Sequence, residues 1–174
     1  MLPLDDPLWE ELTHAHGSAA EIPRLLQQVT ESPGPKVSYR DEPWFTLWSC
    51  LCHHGEANEV SFVAVPHLVE ALARALHEER GPVAWDLFQL PAAIEIARAR
   101  GRGALPEDCA LAYTRALDQL PAHAIALSQP WEHEGAQAVC ATLAVVRGEI
   151  DLAEAILELG RDATDRFLRR EGLR

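Results

Sequence analysis

Apolar residues recur along this chain at spacings of three and four. Ile22, Leu25, Leu26 and Val29 make one such face, and Trp44, Leu47, Trp48 and Leu51 another. Val65, Leu68, Val69, Leu72 and Leu76 follow, then Ala110, Tyr113, Leu117 and Leu120. Val139, Cys140 and Leu143, and lastly Leu152, Ala153, Ile156 and Leu157, repeat the pattern. This is the period of an amphipathic helix, and no stretch alternates apolar and polar residues as a half-buried strand would. The spacing predicts helices near 6–15, 19–30, 43–54, 57–79, 82–100, 107–128, 132–147 and 149–159, with a short tail helix after 162.

The punctuation supports these elements. Pro7, Pro43, Pro82, Pro106 and Pro130 stand where helices begin, a place that needs no amide hydrogen. Gly17, Gly55, Gly101, Gly148 and Gly160 stand where helices end and a left-handed turn is wanted. Ser18 and Glu21 have the spacing of a capping box. Pro66, Pro91 and Pro121 fall inside helices and are expected to kink or split them. One long loop is expected over 31–42.

Self-comparison suggests a repeat. Leu8-Trp9-x-x-Leu12, Gly17 and Ile22-Pro23 correspond to Leu47-Trp48-x-x-Leu51, Gly55 and Val65-Pro66. Trp9, Trp48, Trp85 and Trp131 lie 39, 37 and 46 residues apart, close to the two-helix repeat of HEAT and armadillo arrays. One helix pair cannot bury its apolar stripe alone, so pairs stack on a shared core. The fold expected is all-α, a short right-handed HEAT- or armadillo-like solenoid of antiparallel helix pairs. It forms a single domain over 1–174, with pairs near 6–30, 43–79, 82–128 and 132–159 and a basic tail over 160–174.

Two segments resemble a group of small bacterial HEAT-like proteins. One runs from Leu47-Trp48-Ser-Cys-Leu-Cys-His-His to Val65-Pro66-His67-Leu68-Val69. The other runs from Trp131 to Leu159 and contains Leu143-Ala-Val-Val-Arg-Gly148. The group includes predicted immunity proteins of bacterial toxin systems, and the resemblance implies such a role here. It carries over no catalytic residue.

Composition narrows the picture further. At 174 residues, 48% of them hydrophobic, the chain can bury a core without staples. No apolar run approaches a membrane span, and the Met1–Asp6 start lacks the basic and apolar regions of a secretion signal, so a cytoplasmic location is expected. Cys50, Cys52, Cys109 and Cys140 are then expected to be free thiols. Lysine occurs once, at Lys36, a bias suggestive of a GC-rich bacterium. The net charge of −12 is uneven: residues 1–59 and 107–159 each carry −7, residues 60–106 are neutral, and the tail from 160 carries +2. A nucleic-acid binder needs a basic stripe, which is missing. An acidic surface fits either simple solvation or a basic protein partner.

Candidate chemistry is sparse. Cys50 and His54 share a helix face, but Cys50 and Cys52 do not, and His53 and His54 are expected to cap a helix C-terminus rather than bind metal. No metal or cofactor site is assigned. No hydrolase, phosphate-loop or zincin motif is present. Asp41-Glu42 and Glu132-His133-Glu134 are carboxylates at helix starts, where the macrodipole favours them. Together with Trp44 and Trp131 they form the candidate partner-binding set: Asp41, Glu42, Trp44, Trp131, Glu132 and Glu134, for a basic protein such as a toxin domain. The two tryptophans read equally well as core residues at repeat boundaries. The alternative is a small-molecule-binding or metal-dependent hydrolytic enzyme using His53, His54 and His67.

Overall fold

Most of the apolar stripes become buried faces of helices in the computed structural model, which describes residues 1–173; in α7 only Ala153 is buried and Leu152 is exposed. A 3-10 turn (Pro7–Glu10) and a two-stranded hairpin, β1 (Thr13–His14) with β2 (Gly17–Ser18), precede α1 (Ile22–Glu31). Then come α2 (Trp44–Leu51), α3 (Glu59–His77), α4 (Asp86–Ala99), α5 (Glu107–Ala126), α6 (His133–Val146), α7 (Ile150–Glu158) and α8 (Arg161–Arg170). The molecule is predominantly helical.

In α1 the residues Ile22, Leu25, Leu26 and Val29 are all buried, each contributing about 2 kcal/mol of apolar burial. That face rests on α3. The third helix packs against α1, α2, α4, α5 and β1, which is why it is apolar almost all round. Its Phe62 meets Tyr113 of α5 edge to face, with ring centroids 5.3 Å apart. Further along, α4 packs on α3, α6 and α7, and α5 on α3 and α6. One apolar core runs from Trp9 to Val139, and a smaller one joins Ala92 and Ile96 of α4 to Val145 and Ala153. At Gly135 a Cβ would overlap the Trp85 ring, so only glycine lets α6 approach α4 there.

Several expectations need correction. The segment 6–15 is not a helix. Trp9 and Leu12 are buried as the helical spacing suggested, but the chain turns after Glu10 into the hairpin, and Trp9 Nε1 donates to the Pro3 carbonyl at 2.8 Å. The Ser18–Glu21 capping box does not form, because the Ser18 hydroxyl donates to the Glu10 carbonyl and accepts the Ala20 amide instead. The reciprocal cap lies at α3, where Asn58 N–H donates to Ser61 Oγ at 2.9 Å. Of the kink or split expected at Pro66, Pro91 and Pro121, the split does not occur, since each lies inside a continuous helix, α3, α4 and α5. Gly17, Gly55, Gly101 and Gly148 have positive φ as expected, whereas Gly160 does not and precedes α8. All four cysteines are free, with Cys50 buried and Cys140 exposed.

Candidate functional site

The irregular segment 32–43 is anchored by the sole lysine. Lys36 Nζ lies 2.5 Å from Asp86 Oδ1, and the same oxygen accepts Trp48 Nε1–H at 2.7 Å. Asp86 is 3% exposed at the start of α4. This pair ties the segment to α2 and α4 and sets the floor of the surface around it. Nothing in the spacing of Lys36 and Asp86, fifty residues apart, announced the contact.

Depressions open on both sides of Lys36. A cleft of about 650 Å³ runs between the segment and the start of α6; its walls include Tyr39, Trp85, Gln89, Glu132, Glu134 and Gln137. It shares Lys36, Tyr39 and Gln89 with a second depression of about 490 Å³ that reaches Phe45, Trp48, His53 and His54. The two form one groove, histidine-lined at one end and acidic at the other. Its aromatic walls are accessible, with Tyr39 66% and Phe45 46% exposed. Glu132 and Glu134 are exposed and make no ion pair among the described residues. A third depression, of about 610 Å³, meets the cleft at Pro35 and Lys36 and is lined further by Arg40, Asp41, Glu42 and Trp44.

The six candidate binding residues therefore divide. Glu132 and Glu134 line the groove, and Trp131, 44% exposed, stands beside them at the start of α6. Asp41 and Glu42 border the third depression. Asp41 Oδ2 is taken up by the amides of Val37 and Ser38, and Glu42 by the Thr46 hydroxyl at 2.7 Å. Trp44 is 2% exposed and belongs to the core, so it offers no face to a partner. Tyr39, Trp85 and Trp48 also line these depressions, and the sequence reading did not single them out for binding. The exposed aromatic in a Pro- and Gly-rich loop was the available signal for Tyr39.

The histidines also regroup. His67 is buried, tilts against Trp9 and contacts the Leu2 carbonyl at 2.8 Å, so it is engaged away from His53 and His54. Desolvation lowers its proton affinity; the Leu2 contact opposes this. In its place the hairpin supplies His14 and His16. His16 meets His53 at 4.6 Å between centroids, and His53 meets His54 at 4.1 Å. Desolvation, then the neighbouring His54 and His16 rings, lowers the proton affinity of His53, against the pull of Glu56. The hairpin's His14 also adjoins Glu21 and Cys50, with one ligand atom from each within 4.8 Å of the others. Cys50 is pushed up to about 11 by burial and by the Glu21 and Glu42 carboxylates. In the metal-free chain this favours the protonated thiol over the thiolate.

A second polar cluster lies apart from the groove. Glu95, 8% exposed, takes a bidentate ion pair from Arg98 at 2.7 Å and the Tyr113 hydroxyl at 2.9 Å. Burial and the Glu95 carboxylate raise the Tyr113 phenol. Every strong acceptor there has a donor, so the cluster fastens α4 to α5.

No protein-family model, no curated protein and no solved structure matches this chain. Among the described residues no helix is long and apolar enough to cross a membrane.

Proposed function

We propose that the chain is a protein-binding module whose groove takes a basic segment of a partner, and that a basic bacterial toxin is the partner it neutralises. The observation carrying this reading is the groove itself: accessible aromatic walls at Tyr39, Phe45 and Trp85 end at the unpaired carboxylates Glu132 and Glu134. Aromatic faces with nearby carboxylates suit arginine, whose planar cation stacks on rings while donating to acids. Asp86 does not compete for that cation, because Lys36 already neutralises it. The toxin assignment rests on the resemblance of the Leu47–Val69 and Trp131–Leu159 segments to HEAT-like immunity proteins, and on a net charge of −12. A basic domain that acts on nucleic acid would be blocked by an acidic surface laid over its phosphate-binding face.

Association kinetics test the proposal. A partner recovered from the native host should bind this chain with an on-rate that falls steeply between low and physiological salt, as the Debye length shortens from about 30 Å to about 8 Å. Glu132→Lys with Glu134→Lys should slow association by about tenfold or more. Equal on-rates for the reversed and native chains, at all salt concentrations, would exclude the groove's acidic end as the steering surface.

A further inference from the structure

We propose that His14, Glu21 and Cys50 form a binding site for a transition-metal ion of the Zn²⁺ class. The three come from different elements: His14 ends β1, Glu21 immediately precedes α1, and Cys50 lies in the last turn of α2. Sequence spacing alone could not join them, yet one ligand atom from each lies within 4.8 Å of the other two. Ligands held about 2.0–2.3 Å from a tetrahedral ion sit about 3.3–3.8 Å apart. Closure needs a side-chain adjustment of about 1 Å, not a movement of backbone.

A second observation concerns the same histidine. The Nε2 atom of His14 is buried and has no hydrogen-bond partner. A buried ring nitrogen without a partner is costly, so natural sites rarely leave one. A bound cation satisfies it. With the ion on Nε2, the neutral ring carries its proton on Nδ1, which gives up the His16 amide that it accepts at 3.1 Å. That amide is exposed and takes water instead.

The donor set selects the ion. One imidazole, one carboxylate and one thiolate suit Zn²⁺ and its relatives, whereas Ca²⁺ and Mg²⁺ prefer all-oxygen sites. Cys50 is buried and Glu21 exposed, so the ion would be screened on one side and reach water on the other, leaving a fourth position for a water molecule. The ion would staple the hairpin and the start of α1 to α2. Two-residue strands such as β1 and β2 have little stability of their own, so such a staple would stiffen this edge of the molecule.

Zn²⁺ and Co²⁺ titrations of the reduced, chelator-stripped full chain decide the matter. The site predicts one equivalent of tightly bound ion, a sulfur-to-cobalt charge-transfer band in the near ultraviolet, and a melting temperature that rises with added Zn²⁺. Cys50→Ser should abolish the band. Because Cys50 is buried, Glu21→Gln at an exposed carboxylate serves as the variant that leaves folding intact, checked by circular dichroism. Glu21→Gln and His14→Gln should each weaken binding by about 100-fold, while His54→Ala should leave it unchanged. Absence of the thiolate band in the native chain would overturn the proposal. So would tight binding that survives Glu21→Gln and His14→Gln but is lost in His54→Ala.

Discussion

Replacing Lys36 with methionine removes the cation that holds segment 32–43 against the body of the protein. The side chain keeps its length and apolar stem, so the perturbation is chiefly electrostatic. Asp86, with 4% of its side chain exposed, would keep the Trp48 indole as its one side-chain donor among the described residues. Breaking a fully buried ion pair costs about 3–5 kcal/mol. Lys36 retains 30% side-chain exposure, and water can partly replace it, so the expected loss is about 2–3 kcal/mol. For a chain of this length that corresponds to a melting temperature lower by about 4–12 °C. Asp86→Asn in the Lys36→Met background removes the stranded charge while keeping an oxygen for Trp48, and should recover most of the loss. Urea unfolding of the native chain, both single variants and the double variant gives the coupling energy. A Lys36→Met cost below about 0.5 kcal/mol, with no coupling to Asp86→Asn, would refute the assignment of the ion pair as the anchor of the segment.

The two tryptophans singled out in the sequence should behave differently. Trp44→Ala should cost about 3–5 kcal/mol in urea unfolding, because the ring is in the core. Trp131→Ala should cost about 1 kcal/mol or less and instead raise the partner's off-rate. Stability should also depend on pH through His67 and His123, both held below the ordinary histidine value chiefly by desolvation. The unfolded chain takes up protons first, so stability is full above about pH 6.5 and is lost as pH falls below it. Comparing urea midpoints at pH 7.5 and 5.5 checks the sign, and His67→Gln should flatten the difference. A midpoint that rises on acidification across this window contradicts the assignment.

The helices of the body were legible because their apolar stripes obey one rule at every turn. Gly101 and Gly148 end two of them with the left-handed backbone expected of such stops. The N-terminal segment misled because Leu8, Trp9 and Leu12 have helical spacing, yet tertiary contacts bury Trp9 and Leu12 from a 3-10 turn and leave Leu8 at 41% exposure. The Ser18–Glu21 template was satisfied in sequence, but the serine found a carbonyl eight residues back. At α3 the reciprocal cap uses serine at the third position, which a template requiring Glu or Gln passes over. Of the candidate site, Glu132 and Glu134 were readable from their place at a helix start. The groove was not, because it depends on long-range pairing: Lys36 with Asp86, and Trp85 with Gly135. For the same reason Cys50 was compared with His54, its neighbour in sequence, and not with His14 and Glu21, its neighbours in space.

The central claim, that the groove along Tyr39, Trp85 and Glu134 receives the partner, is tested most directly by site-specific photo-cross-linking in the native host. A photoreactive residue in place of Tyr39, which is 66% exposed in the groove wall, should capture one basic protein in high yield. The same residue in place of Ile125, which is 86% exposed on α5 and does not line the groove, should not capture it. Equal capture from both positions, or capture of the partner from position 125 alone, would contradict the account.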